Sequence, residues 1–458
     1  MEKHHHHERS TFSGKLGFVL SAAGASVGLG NIWRFPYLAA QYGGGIFLLI
    51  YIILALTFGY SMIIAETALG RMTRKSPVGA FGKFGKSKWL SFGGWINAVI
   101  PILIVPYYSV IGGWVIKYLI EYVKGNSQKL AEDGYFSAFI SDGTSTEICF
   151  LVFALLTLAI IFAGVRNGVE RVSKFMMPIL VFLSVLIAIY SVKRPGALAG
   201  VKYFLVPNPA NFSWMTVVAA MGQMFYSLSI AMGILVTFGS YMKRDVSIEG
   251  STTNVEIFDT AIAIMAGLMI IPAVFAFSGG DPDTLQAGPA LMFITIPKVF
   301  ANMGFGTPIG IFFFLLVLMA ALTSSIALTE SAVSTFQDEL RWPRKGATVI
   351  VGIIMVILGS LSSLGYGPLA FVKIIGMQFL DFFDFLTNSV MMPIAAFATC
   401  ILISRVIGVG KIEEEVEADG GSFKRKKVFR FMIRYLCPIF AVIILLSSVA
   451  NAFGWISM

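Results

Sequence analysis

The sequence predicts an all-α integral membrane protein: about eleven transmembrane helices, laid out as a 5+5 inverted repeat with broken helices one and six plus one extra helix. Three observations predict it. Of 458 residues, 57% are hydrophobic and only 13% charged, with a mean hydropathy of +0.80, whereas a soluble domain carries about 25% charged residues. Apolar runs of roughly 17–25 residues begin near residues 16, 46, 95, 147, 173, 214, 257, 308, 347, 379 and 431. The first and sixth runs are interrupted, at Gly24-Ala25-Ser26-Val27-Gly28-Leu29-Gly30-Asn31 and at Ser227-Leu228-Ser229-Ile230-Ala231-Met232-Gly233.

Those interruptions carry the functional signal. Lipid cannot satisfy free N–H and C=O groups, so a broken helix survives only where it faces protein or a watery cavity. Freed carbonyls then serve as cation ligands, and half-helix N-termini can face an anion. The offset between the two breaks implies domain limits: a cytoplasmic tail over 1–13, one five-helix repeat over 14–192, a second over 193–408, and a cytoplasmic loop with helix eleven over 409–458.

Along the chain, His4 to His7 precede the first span and read as a tag remnant or a polar tail, outside the fold. Arg71, Arg74, Lys75, Lys83, Lys86 and Lys88 fill the loop after span two. Lys243 with Arg244, Arg341 with Arg344 and Lys345, and Lys424 to Lys427 fall in later loops of the same side. The positive-inside rule places those loops and the N-terminus in the cytoplasm of a multi-pass protein of the cell's inner (plasma) membrane. The net charge of +9 is therefore a topology signal rather than a nucleic-acid footprint, with anionic lipid heads as a secondary partner. Polar connections are expected over 124–146, 279–307 and 409–428, and the acidic run around Glu413-Glu414-Glu415 reads as solvated loop. In span five, Gly168 and Pro178 either let the helix end unwind or mark a helix start and a static kink.

Ionisable groups inside spans are costly and point to function. Arg34 follows Asn31 in span one, Glu66 lies late in span two, Gln223 in span six, Asp259 in span seven and Asp384 in span ten. Glu66 reads as a partner for loose backbone. Thr323-Ser324-Ser325 in span eight either offers hydroxyls to a cation or bonds back to its own helix. Enzyme chemistry fares poorly, since no span contains a histidine and there is no HExxH or CxxC. Cys149, Cys400 and Cys437 are isolated and read as packing. No Thr-Val-Gly-Tyr-Gly channel filter is present.

At Gly28-Leu29-Gly30-Asn31-Ile32-Trp33-Arg34-Phe35-Pro36-Tyr37 the chain resembles the neurotransmitter:sodium symporter family, whose bacterial members carry amino acids on a leucine-transporter-like fold. Gly43-Gly44-Gly45, Tyr107-Tyr108, Gln223 to Ser229 and Leu322 to Ser325 extend the resemblance over the whole chain. It implies two sodium sites. One would use the carbonyls of Gly24, Val27 and Ala320 with the hydroxyls of Thr323 and Ser324. The other would use the Ser26 carbonyl, Asn31, Ser227, Asp259 and the substrate carboxylate. The substrate would meet Leu29, Gly30, Tyr108, Tyr226 and Ser229, with Ile104, Ser229 and Met232 around its side chain. Arg34 and Asp384 resemble an outer gate with Tyr226 as lid. Arg9 and Asp338 resemble an inner gate, with Phe12 where the family usually has tryptophan.

The resemblance further implies that Gly28 leaves room for a substrate carboxylate, where monoamine carriers place aspartate. Asp259 stands where chloride-dependent relatives have asparagine, so no chloride requirement is expected. Ala231 replaces a common glycine and is expected to narrow the pocket. The sequence thus points to sodium-coupled symport of neutral, hydrophobic or aromatic amino acids. The runners-up are small aliphatic substrates and a non-concentrative sodium-dependent sensor. The oligomeric state is not legible.

Overall fold

The computed structural model describes residues 10–85, 87–281 and 288–456. Among them, nine helices are long and apolar enough to cross a membrane, or ten when one bent pair counts as a single span. That pair is α1 (Lys15–Ser26) and α2 (Gly30–Gln41), bent by 54°. The continuous helices are α3 (Gly45–Thr73), α4 (Lys88–Val123), α5 (Gly143–Phe162) and α6 (Val165–Val192) in the first half. A second interruption separates α7 (Trp214–Ser227) from α8 (Ile234–Tyr241). There follow α9 (Ile248–Ser278), α10 (Gly306–Leu340), α11 (Arg344–Leu364), α12 (Phe379–Ile407) and α13 (Lys426–Ala452).

Proline shapes many of these helices without ending them. A proline lacks the N–H its helix needs and crowds the carbonyl four residues back. At Pro36, Pro297, Pro393 and Pro438 the preceding turn widens into a π-helical stretch: Gly30–Arg34, Leu291–Thr295, Phe385–Met391 and Met432–Leu436. The wider turn relieves the crowding and lets the helix continue.

The helices pack through small residues, as lipid offers no hydrophobic force to join them. α3 lies against α8, α10 against α4, and α1 against both α9 and α10. At the α3–α8 contact, a methyl on Gly70 would meet the Val236 carbonyl oxygen at 2.0 Å and one on Gly239 the Thr67 carbonyl oxygen at 2.3 Å. Backbone thus touches backbone, and no side chain fits.

Three connections differ from the sequence expectation. Helices α4, α6 and α9 begin seven to nine residues earlier than their apolar runs suggest, because polar first turns such as Ser247 capping Gly250 extend them. The 279–307 connection holds an apolar helix, Leu291–Ala301, whose Phe293 ring packs on Trp114, Tyr118 and Phe136. The acidic 409–419 stretch is not solvated loop. It forms a helix, Val409–Val416, clasped to the bundle. Arg71, 2% exposed, donates to the Glu415 carboxylate at 2.7 Å. Arg430 grips Glu413 with two bonds of 2.8 and 2.9 Å. Burial pushes the Glu413 carboxyl up, but the bonds from Arg430 outweigh it and hold it below the ordinary range. Glu249 accepts from the Lys424 and Arg425 amides, and Arg425 pairs with Glu256 over the Tyr60 ring.

The glycine contact gives a direct test. Gly70→Val and Gly239→Val should each lower the melting temperature of the detergent-solubilised protein, overpacking costing about 1–3 kcal/mol or more. Unchanged melting would mean α3 and α8 do not pack backbone to backbone.

Candidate functional site

Both breaks face each other at mid-span. The residues from Val27 to Leu29 separate α1 from α2, and Leu228 to Gly233 separate α7 from α8. Ser229 and Ala231 adopt φ of +54° and +59°, a region costly for side chains bearing a Cβ. The surrounding helices satisfy the loosened backbone. Glu66 of α3 accepts the Ala231 amide at 2.8 Å, and Gln223 of α7 donates to the Gly30 carbonyl at 3.0 Å. Tyr108 of α4 takes the Leu29 amide at 3.4 Å.

Between the breaks lies a small cavity of about 30 Å³. It brings together all of Leu29, Gly30, Ile104, Tyr108, Tyr226, Ser229 and Met232, the residues expected from the sequence. Gly28, Ile234, Ser324 and Leu328 complete much of the wall. No Asp, Glu, Lys or Arg lines it. A methyl on Gly28 would sit 2.7 Å from Ser324 Oγ and 3.1 Å from the Tyr108 hydroxyl, and one on Gly30 would strike the Tyr226 ring at 2.5 Å. Ala231 is fully buried and does not line the cavity. Its methyl therefore does not line the pocket, contrary to expectation; what marks position 231 is a left-handed backbone, which favours glycine.

Beside the cavity, Asp259 of α9 gathers donors. Asn31 Nδ2 reaches its Oδ1 at 2.8 Å, Ser227 Oγ lies at 2.9 and 3.0 Å from its two oxygens, and the Tyr51 hydroxyl reaches Oδ2 at 3.0 Å. All three partners donate, which suits an ionised carboxylate, and Asp259 is not turned away. Tyr51 was not expected. Its place in an apolar run beside Phe47 gives no sequence signal.

On the other flank, α10 divides the two readings of its hydroxyl run. Thr323 bonds back to Met319 and Ala320 carbonyls, both at 3.1 Å. Ser324 instead reaches across to α1, donating toward the carbonyls of Gly24 at 3.3 Å, Ala25 at 3.1 Å and Val27 at 3.5 Å. Ser229 also reaches the Ala25 carbonyl, at 3.0 Å. Ala25 was missed because backbone carbonyls leave no mark on side-chain identity. Ser324 thus meets the Gly24 and Val27 carbonyls, while Thr323 stays with the Ala320 carbonyl of its own helix; hard neutral oxygens of this kind suit an alkali cation.

Tyr226 lines both the cavity and a larger recess of about 350 Å³. Arg34 and Asp384 also line that recess. Arg34 lies 5.3 Å from the Tyr226 ring centroid, whereas Asp384 accepts from Tyr107 at 3.2 Å and Asn388 at 2.5 Å. The two face the same space without forming an ion pair. On the opposite side the chain is plugged. Phe12, 1% exposed, packs edge-on against Phe18, Phe238 and Tyr241, and its amide bonds the Tyr241 carbonyl at 3.1 Å. Ser13 bonds Glu170 in the π-helical start of α6. Gly168 lies in that start, where a methyl would meet the Ile160 carbonyl oxygen at 2.0 Å. Arg9 lies outside the described residues. Asp338 accepts the Ser76 amide at 2.6 Å.

The comparisons with known proteins bear on this geometry. The family model of the sodium:neurotransmitter symporter family matches residues 9–131 and 136–454. The chain belongs to that family. It is 34% identical over 445 residues to YhdH of Bacillus subtilis, an uncharacterized sodium-dependent transporter, covering 96% of this chain and 97% of that one. It is 26% identical to the mouse sodium- and chloride-dependent GABA transporter 2, over 90% of this chain and 75% of the relative. The crystal structure of MhsT in complex with L-phenylalanine superposes with a TM-score of 0.84 at 35% identity, covering 96% of this chain and all of that one. This symporter is therefore a sodium-dependent, multi-pass membrane transporter of a family of carriers, not of enzymes.

Ala231 offers a test of the cavity wall. Ala231→Gly should raise or hold the melting temperature, relieving about 1–2 kcal/mol of left-handed strain offset by glycine's flexibility, and leave the ranking of bound amino acids unchanged. A changed ranking would place the methyl in the pocket after all.

Proposed function

We propose that this symporter couples inward sodium movement to uptake of neutral hydrophobic or aromatic amino acids by alternating access, in the bacterial plasma membrane with its N-terminus in the cytoplasm. The observation that carries the reading is the single cavity where both breaks and Ser324 meet. Leu29, Gly30 and Tyr108 line it with groups that can meet a carboxylate, and Ile104, Met232, Ile234 and Leu328 line it with apolar surface. With no room for a side chain at Gly28, the carboxylate must come from the substrate. With no charged side chain in the wall, the substrate side chain must be neutral. The MhsT complex with phenylalanine supports the aromatic choice. Small aliphatic amino acids are the second reading, favoured by a cavity of only about 30 Å³, well below the roughly 300–1,000 Å³ of typical ligand pockets.

On this reading one sodium ion joins Ser26, Asn31, Ser227, Asp259 and the substrate carboxylate, and a second joins Gly24, Val27, Ala320, Thr323 and Ser324. Asp259 supplies the anion that chloride supplies elsewhere. α7 and α8 form one interrupted span, which brings the repeat to 14–192 and 193–408 with α13 appended. Sodium binding draws α1 toward α10 by replacing the Ser324 proton contacts with ion contacts, and Tyr226 shuts over the substrate. Arg34 and Asp384 then approach as the recess closes, while Phe12 withdraws and the Gly168–Pro178 end of α6 loosens to open the other side. Each elementary charge crossing 100 mV is worth about 2.3 kcal/mol. Two sodium ions with a zwitterion therefore drive about 4.6 kcal/mol, roughly a thousandfold accumulation.

In liposomes with an inward sodium gradient, the protein should accumulate phenylalanine or leucine but not lysine or glutamate. Equal uptake in potassium, or binding without accumulation, would contradict coupled symport. Uptake should persist with gluconate in place of chloride, and Asp259→Asn should lose about tenfold in sodium affinity or acquire chloride sensitivity, a charge-assisted bond being worth about 1.5–3 kcal/mol. Collapse of wild-type uptake without chloride would remove Asp259 from that role. Arg34→Ala should cut transport more than sodium-dependent binding, and normal uptake would take Arg34 out of the gate.

A further inference from the structure

The site leaves one cluster unused. Met62 of α3, Cys400 of α12 and Cys437 of α13 bring three sulfur atoms together from three helices, at 0%, 0% and 1% exposure. The Cys400 thiol lies 3.7 Å from Met62 Sδ, and Cys437 opens the α13 segment that packs against the α12 segment bearing Cys400, near enough for the two thiols to interact. Cys437 immediately precedes Pro438, at the junction where α13 changes from π- to α-helical turns. No third thiol, imidazole or carboxylate joins them among the described residues. The donor set is therefore all sulfur and soft. It offers nothing to sodium or magnesium, and it matches the thiolate and thioether preference of soft d10 cations.

We propose that Met62, Cys400 and Cys437 form a binding site for a soft thiophilic cation, such as Hg(II) or Ag(I), that locks the transporter. Charge balance favours it even in a low-dielectric interior, where unpaired charge is costly. Mercuric chloride forms two Hg–S bonds as its two Hg–Cl bonds break, releasing two protons and two chloride ions to bulk water and leaving a neutral dithiolate with the Met62 thioether as a weaker third donor. One Ag(I) displaces one proton and is likewise neutral. Neutral mercuric chloride crosses apolar layers, so burial does not bar entry. The consequence for transport follows from α3. Met62 stands four residues before Glu66, on the same helix face, and Glu66 holds the unwound Ala231 amide. Fixing Met62 to α12 and α13 ties that support to helices outside the site. This consequence rests on the transport reading above; the binding itself does not.

The test uses the full-length purified protein, titrated with mercuric chloride and read by the ultraviolet thiolate-to-mercury charge-transfer band, which the histidine run does not produce. Wild type and Cys149→Ser should bind, the latter with one mercury per chain. Cys400→Ser and Cys437→Ser should bind at least tenfold more weakly, and Met62→Leu should weaken binding by a smaller factor. Cys400→Ala and Cys437→Ala provide second variants, each checked for folding by sodium-dependent amino-acid binding. Unreduced stoichiometry in the Cys400/Cys437 double variant, or no binding in Cys149→Ser, would overturn the site. So would a free-thiol count showing Cys400 and Cys437 already joined as a disulfide under reducing isolation. In liposomes, mercury should block uptake by Cys149→Ser and spare the double variant. Mercury-resistant uptake by metal-loaded Cys149→Ser would refute the lock, whereas absent sodium-driven uptake in every variant would refute the transport reading and leave the binding result standing.

Discussion

Everything in this molecule turns on backbone that is not allowed to be where it is. A helix may break inside a bilayer only if protein satisfies every freed N–H and C=O, and here the two breaks are satisfied by a few side chains from the cavity wall and from the helices behind it. Glu66 takes the Ala231 amide, Gln223 gives to the Gly30 carbonyl, and Tyr108 takes the Leu29 amide. Ser229 and Ser324 both aim at the Ala25 carbonyl. These bonds are individually modest, about 0.5–1.5 kcal/mol each, but leaving such a group unmet costs about 1–3 kcal/mol. A cation that binds freed carbonyls therefore replaces hydroxyl contacts rather than filling idle space. On the proposed reading, coupling between ion and substrate follows, since each orders broken segments that the other also needs ordered.

The two ends of the cavity are asymmetric in a way that fits this constraint. On the side of Arg34 the Tyr226 ring is shared by the cavity and the recess beyond, with a guanidinium over it. On the other side lie the Phe12 cluster, the Ser13–Glu170 contact and the clasp from Arg71 to Arg430. In the proposed cycle the aromatic side swings and the packed Phe12 plug is dismantled. Phenylalanine at position 12 makes three edge-on ring contacts, so the smaller ring still seals that end.

Much of this was legible in the sequence, for reasons that can be named. The breaks announced themselves because glycine and serine are conspicuous against an apolar background, and every pocket residue read from the resemblance lines the one cavity. Side-chain charge in a span was equally visible, as with Asp259 and Glu66. What stayed hidden was backbone and context. The Ala25 carbonyl and the Tyr51 hydroxyl carry no signature in their residue types. The Ala231 methyl was misread because its left-handed φ, not its size, decides where it goes. The acidic run at 413–415 looked solvated since its partners Arg71 and Arg430 are distant in sequence. The apolar helix at 291–301 was lost in a connection too short to register as a span.

The central claim is that sodium and substrate complete the same broken backbone. Equilibrium binding of phenylalanine by the purified protein, measured across a range of sodium concentrations at constant ionic strength, tests it most directly. Linkage then requires substrate affinity to rise with sodium, with a logarithmic slope of about two where both ions bind with the substrate, and Ser324→Ala should flatten that slope. Substrate affinity independent of sodium would contradict the account.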